Sequence, residues 1–253
     1  MGALHDGHLS LVRLSKKQGD IAVASIFVNP TQFNNPADLE KYPRDVERDL
    51  ELLESAGCDA VFVPSVETMY PEPATLSISF GSLENELEGR FRPGHFAGVG
   101  LVVSKFFNLI QPDQAYFGQK DLQQFYVIQK LVNQLSFPIK LHRVPIAREE
   151  NGLAMSSRNE RLNSKDRDHA ALIYHALQEA QKLLLETADI TLAKDKVREL
   201  FDYSDRFTLE YFEVIDTDDF TPLETIKDKA TTALCLAAEI GEVRLIDNLL
   251  LIS

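Results

Sequence analysis

"GALHDGHLSLVRLSKKQGDIAVASIFVN", residues 2–29, sets the fold class. Its first half places Leu4, His8, Leu11 and Val12 on one helical face, with Asp6 standing as N-cap and Gly19 as stop. Its second half, "IAVASIFVN" (21–29), reads as a buried strand. The same alternation continues downstream. "DAVFVP" (59–64), "QAYFG" (114–118) and "IKLHRVP" (139–145) read as further strands. Between them, Val46, Leu50 and Leu53 line one helix face that Gly57 ends, and Val99, Val102, Val103, Phe106, Phe107 and Ile110 line another. Short β-branched runs alternating with amphipathic helices predict a parallel sheet of the α/β class.

After "AREENGLAMSSRNERLNS" (147–164) the character changes. A long helix is expected at about 164–187 and a shorter one near 190–202. "TLEYFEVID", "TTALCLAAEI" and "EVRLIDNLLLI" then read as strands of an antiparallel sheet. Helices followed by strands indicate a separate, smaller α+β domain. The expected division is 1–146 and 147–253, with the polar stretch 147–163 as a hinge or a loop facing a cleft.

With 253 residues, 44% hydrophobic and 26% charged, the chain is in the globular class, and no apolar run approaches the length of a membrane span. No basic-then-apolar leader precedes the first motif, so a cytoplasmic setting is expected. Cys58 and Cys235, the only cysteines, are far apart and indicate neither a disulfide framework nor a zinc site. A net charge of −13 argues against a general nucleic-acid binder. Local basic islands, "EGRFRPGH" (88–95) and "MSSRNER" (155–161), suit a small anion instead.

Three stretches carry candidate chemistry. In "HDGH" (5–8), His5 and His8 project from a helix N-terminus, where free N–H groups and the dipole favour phosphate; a capped helix with two solvent-exposed histidines fits the same string. In "FGQKD" (117–121), Lys120 stands just beyond a strand's carboxyl end, where open α/β sheets bind ligands, and Gly118 admits close backbone approach; a surface lysine fits equally. In "MSSRN" (155–159), two hydroxyls and the Arg158 guanidinium can clamp phosphate oxygens or simply lead a helix. Two turns add polar groups for a carboxylate: Gln32 in "NPTQF" (29–33), and Arg92 and His95 in "FRPGHF" (91–96).

Together these motifs are recognisable. "MGALHDGH" resembles the histidine-x-glycine-histidine motif of the nucleotidyltransferase superfamily. With "SIFVNPTQF", "YPR", "RPGHFAGV", "FGQKDLQQ", "GLAMSSRN" and "RLIDN" in the same order, the chain is similar to the pantoate–β-alanine ligases over nearly its whole length. The resemblance implies a Rossmann-like parallel-sheet nucleotidyltransferase domain followed by the smaller α+β domain. It also implies a two-step reaction: pantoate's carboxylate attacks the α-phosphate of ATP, and β-alanine's amine then attacks the pantoyl-adenylate.

By the same resemblance, Met1, Gly2, Ala3, Leu4, His5, Asp6, Gly7 and His8 contact ATP, with both histidines on the phosphates and His8 as proton donor. Gly118, Gln119, Lys120 and Asp121 contact the nucleotide, Ala147 meets the adenine side by its backbone, and Met155, Ser156, Ser157 and Arg158 form the signature loop. The expected catalytic set is His5, His8, Lys120, Ser156, Ser157 and Arg158. Gln32 holds pantoate and β-alanine, Gln124 holds pantoate, and Arg92 and His95 match an element near the substrate pocket and dimer surface. Mg²⁺ accompanies ATP as substrate, Asp49 matches an acidic position associated with metal, and a homodimer is implied, with no nucleic-acid or membrane partner. Two departures stand out. Gln119 replaces a commonly acidic residue, and the strand and helix that usually precede the opening motif are expected but not found before Met1. A related cytidylyl- or adenylyltransferase, or a catalytically silent nucleotide binder, remains open on the residues alone.

Overall fold

Helix α1 (Asp6–Gln18) starts one residue later than its cap, and that cap is His5 rather than Asp6. The His5 imidazole Nδ1 accepts from the Gly7 N–H at 3.2 Å, so a ring nitrogen does the work expected of the Asp6 carboxylate. Asp6 instead sits in the first turn, mostly exposed, 3.6 Å from Arg13. The structure, a computed structural model, describes residues 1–19, 21–33, 39, 40, 42–204 and 206–252.

The described residues form two compact units. The first comprises Met1–Gln119 and Gln123–Pro145. It holds β1 (Val23–Ser25), α2 (Val46–Ser55), β2 (Ala60–Phe62), α3 (Val66–Met69), α4 (Glu88–Phe91), α5 (His95–Ile110), β3 (Gln114–Gly118) and β4 (Lys140–Val144), with most of α6 (Leu122–Gln134). β1 and β2 pair in parallel, as do β3 and β4. Each pair is closed by a helix crossing between its strands, α2 in one case and α6 in the other. The parallel architecture is therefore as expected, but among the described residues it consists of two two-stranded sheets rather than one continuous sheet.

The stretch 21–29 differs most from expectation. Only Val23–Ser25 is strand, and it is half-buried: Ala22 and Ala24 are 2% exposed while Ile21 is 73% and Val23 44% exposed. The strand is covered on one face only, so its β-branched residues split between core and surface. Ile26 N–H is donated to Phe62 on β2, whereas Ser25 and Phe27 point their backbone groups the other way. There the Met1 nitrogen donates to Ser25 O at 2.9 Å and Met1 O accepts from Phe27 N–H at 3.0 Å. The first residue thus lies along the carboxyl end of β1. Leu4, Leu9, Val12, Ala24, Ile26, Leu53 and Ala56 form the core beneath it.

α2 also corrects the sequence reading. Leu53 is fully buried, but Val46 and Leu50 are exposed, and the second buried residue of the helix is Asp49. The apolar stripe is not the inward face because a carboxylate reaches inward to the opening loop.

The second unit comprises Lys120–Leu122 and Ile146–Ser253. The expected long helix is two, α7 (Ser164–His169) and α8 (Ala171–Thr187), followed by α9 (Ile190–Asp202). β5 (Phe207–Asp216), β6 (Thr232–Ile240) and β7 (Val243–Leu250) form the expected antiparallel sheet in the order β5-β6-β7. Ile173, Leu177, Ala180 and Leu184 of α8 and Val197 of α9 pack on Val214, Leu234 and Leu236 of the sheet. Each large aliphatic side chain buried here contributes roughly 1.5–3 kcal/mol. No helix among the described residues is long and apolar enough to cross a membrane.

Candidate functional site

The opening loop is held from below by one buried carboxylate. Asp49, 1% exposed, accepts the Ala3 N–H at 2.9 Å on one oxygen and the Leu4 N–H at 2.7 Å on the other. Ala3 takes a left-handed backbone (φ 49°), which an Ala adopts only when its surroundings fix it. At Asp49, expected at a metal-associated position, each oxygen accepts one backbone N–H, so the residue anchors the opening loop. Among the described residues, no three His, Cys, Asp or Glu side chains are grouped to hold a metal ion.

Above that anchor the two histidines form a reciprocal cap. His5 Nδ1 accepts from Gly7 N–H, and His8 Nδ1 accepts from His5 N–H at 3.4 Å, with ring centroids 4.0 Å apart. An acceptor nitrogen carries no proton, so in each neutral ring the proton sits on Nε2. The cap thereby fixes both tautomers with an N–H donor at the far edge of each ring. Neither "capped helix" nor "phosphate donor" excludes the other, because the two uses take different nitrogens.

Gln32 is set by a network that sequence reasoning passed over. It ends a 3-10 turn, Pro30–Gln32, capped by Asn29. Asn29, 2% exposed, accepts from the Tyr70 hydroxyl at 2.8 Å and from Thr31 Oγ1 at 3.0 Å. Its amide donates to Gly98 O at 3.2 Å and to Gln32 Oε1 at 3.4 Å. Burial pushes the Tyr70 hydroxyl above its usual range, which keeps it a neutral donor. An Asn directly before Pro signals a capped turn, so Asn29 was findable; Tyr70 carried no such signal. His95, 5% exposed at the start of α5, has Nδ1 3.0 Å from Gln32 O; a carbonyl only accepts, so this ring's proton lies on Nδ1. Arg92 lies 3.8 Å from Glu88, and Gln124 is half-buried in the first turn of α6.

Gly98 lets α5 lie against this turn. A Cβ there would stand 2.3 Å from Thr31 O and 2.8 Å from Gln32 N, both backbone atoms. Gly98→Ala must therefore shift the turn, and we expect it to lose about 1–3 kcal/mol of stability together with ligand binding at Gln32. Thermal unfolding and substrate titration check this; wild-type behaviour in both would show that the turn adapts freely.

β3 ends at Gly118, where, apart from its chain neighbours, no atom of the described residues lies within 4 Å of where a Cβ would stand. In the second unit, Lys120 occupies the 3-10 turn Gln119–Asp121, with its amine 3.9 Å from the Asp121 carboxylate. Ala147 O accepts from Met155 N–H at 2.9 Å, and Arg148 bridges Ala154, so 147–155 is a hairpin. Directly after it, Ser156 caps a 3-10 helix, Ser157–Arg161, by accepting from Arg158 N–H at 3.2 Å. Asn159, 2% exposed, donates to Glu149 Oε1 at 2.8 Å and Ala154 O at 3.1 Å and so fixes the hairpin to that helix. The expected residues thus fall into two groups. Met1–His8, Gln32, Arg92, His95, Gly118, Gln119 and Gln124 belong to the first unit, while Lys120, Asp121, Ala147 and Met155–Arg158 belong to the second.

Comparison with known proteins identifies the family. The family model described as Pantoate-beta-alanine ligase matches residues 1–250. The pantothenate synthetase of Thermoanaerobacter is 50% identical over 252 residues, covering 99% of this chain and 88% of that protein. That of Cytophaga hutchinsonii is 47% identical, covering 100% of this chain and 89% of that one. The crystal structure of pantothenate synthetase from Thermus thermophilus superposes with a TM-score of 0.94 at 40% identity, over 99% of this chain and 91% of that chain. The pantoate–β-alanine ligase of Francisella tularensis, solved with a β,γ-ATP compound and β-alanine, gives 0.80 at 35% identity, over 100% of this chain and 88% of that chain. A match of this extent leaves one assignment: the chain belongs to the pantoate–β-alanine ligase family.

Proposed function

We infer that this chain is an ATP-dependent pantoate–β-alanine ligase. The observation that carries the reading is the opening loop: a helix N-terminus with two histidines whose caps leave each neutral ring an Nε2 donor, held on Asp49. A carboxylate acylates an amine only after one of its oxygens is made a good leaving group. Adenylation does this: a pantoate oxygen bonds to the α-phosphorus of ATP and pyrophosphate leaves. β-Alanine's amine then adds to the acyl carbon, the carbon–oxygen bond breaks, and AMP departs with that oxygen. The protein's share is positioning and stabilisation of charge on phosphate oxygens.

In this proposal His5 and His8 donate to the phosphates through Nε2, and the positive end of the α1 dipole adds to the same field. Lys120 supplies a point charge and Arg158 a planar fork for phosphate oxygens, with Ser156 and Ser157 as hydroxyl donors. Ala147 offers backbone groups toward adenine. Gln32, held by Asn29, is the neutral donor and acceptor for pantoate and β-alanine, with Gln124 for pantoate, and Arg92 and His95 bracket that turn. Mg²⁺ fits as an ion carried on ATP's own phosphates, where it neutralises charge, while Asp49 holds the opening loop. The family resemblance extends the proposal to a homodimer in the cytoplasm.

The test is pyrophosphate release with ATP, Mg²⁺ and pantoate. Release that requires pantoate supports the ligase reading, whereas ATP binding without turnover supports a silent nucleotide binder. Gln32→Ala should weaken pantoate and β-alanine use while ATP affinity stays unchanged; unaltered pantoate affinity would remove the case for Gln32.

A further inference from the structure

The "RLIDN" stretch, residues 244–248, places two buried polar residues side by side in an otherwise largely apolar strand. On β7, Asp247 is 3% and Asn248 2% exposed. Successive strand residues project to opposite faces, so the pair addresses two different partners.

Asn248 reaches far along the chain. Its side-chain amide donates to the backbone carbonyl of Lys120 at 2.9 Å, across 128 residues of sequence. Asp247 grips a different segment: its carboxylate takes both arms of the Arg148 guanidinium, at 2.6 and 3.0 Å, and also accepts the Asn248 N–H at 2.8 Å. Arg148 is itself confined, lying 3.7 Å over the Tyr174 ring and donating to Gly152 O at 3.1 Å. It stands in the hairpin that leads into Met155–Arg158. Burial pushes the Asp247 carboxyl up and the Arg148 pair works against that rise.

Buried polar groups in a strand are retained where their hydrogen bonds are spent on something. Here both are spent on the proposed phosphate-binding segments. We propose that Asn248 and Asp247 are positioning residues for adenylation: one strand braces the Lys120 turn through Asn248 and the Met155–Arg158 loop through Asp247 and Arg148. This inference rests on the ligase reading above. The brace acts only through Lys120 and the loop, and neither β7 residue needs to touch substrate.

The experiment is a double-mutant cycle on the full chain, with pantoate-dependent pyrophosphate release in a single turnover as readout. Asn248→Ala should slow adenylation about tenfold or more, since small displacements of positioned groups cost rate steeply. In a Lys120→Ala background the same change should slow it less than about twofold, because the group being positioned is gone. Amide exchange at 119–121 should accelerate in Asn248→Ala without any ligand present, while the KM for β-alanine stays unchanged. An equal loss in both backgrounds, or wild-type adenylation by Asn248→Ala, overturns the brace. If Asn248→Ala does not fold, Asn248→Gln is taken through the same cycle under the same criterion. A wild-type chain that releases no pyrophosphate with pantoate overturns the ligase reading and the brace with it; an active wild type with additive losses overturns the brace alone.

Discussion

Replacing His8 by Ala lowers the rate of pantoate-dependent pyrophosphate release by about 10²-fold or more, the loss expected when one donor to developing charge is removed. His8 makes two separable contributions. Its Nδ1 accepts the His5 N–H and so closes the cap of α1; in the proposed reaction its Nε2 donates to a phosphate oxygen. The Ala variant removes both. His8→Gln separates them, because Gln at the third helical position returns an acceptor to the capping residue's N–H. Its stability should remain within about 0.5 kcal/mol of wild type while its adenylation stays as slow as that of the Ala variant. Near-normal single-turnover adenylation by His8→Gln would reduce the histidine to a cap.

Removing the Asp49 carboxylate should have a comparably large effect by another route. Asp49→Ala leaves the Ala3 and Leu4 N–H groups without their acceptor in a buried place. At roughly 1–3 kcal/mol for each orphaned donor, the loss is on the order of 3 kcal/mol. For a chain of this size that lowers the melting temperature by roughly 6–12 °C. The measurement is made without ATP or Mg²⁺, which gives it its force. A residue whose only task is to bind metal leaves the stability of the metal-free protein unchanged, whereas a loop anchor does not. Asp49→Asn should be nearly as damaging, since its amide sets an NH₂ against a second N–H donor. Adenylation should fall in both variants, because the loop they release carries His5 and His8.

Asp49 also shows where a sequence is hard to read. Val46, Leu50 and Leu53 have helical spacing, and only Leu53 is buried; the inward face is completed by a carboxylate whose partners lie more than forty residues away. Periodicity reports apolar residues and is blind to a buried polar group with distant hydrogen bonds. The strand at 21–29 failed for a related reason. A β-branched run gives no sign that one of its faces is uncovered, so Ile21 and Val23 read as core. Where environment and local pattern agree, the reading held. Gln114–Gly118, Ile190–Asp202 and the three antiparallel strands of the second unit lie within a residue or two of their expected bounds. The candidate site residues His5, His8, Gln32 and Lys120 stand at helix starts and in short turns, where local motifs single them out in the sequence. What positions them was legible only at Asn29, whose place before Pro30 marks a capped turn. Asn159, Asp247 and Asn248 act through contacts that only the fold creates.

The central claim, activation of a carboxylate at the α-phosphorus, is tested by the fate of one oxygen. Pantoate carrying a heavy oxygen isotope in its carboxylate is incubated with ATP, Mg²⁺, β-alanine and the enzyme, and the nucleotide and phosphate products are weighed by mass spectrometry. The account predicts one heavy oxygen in AMP and none in pyrophosphate. Heavy oxygen in inorganic phosphate with ADP as the nucleotide, or pantothenate formed with unlabelled AMP, would contradict it.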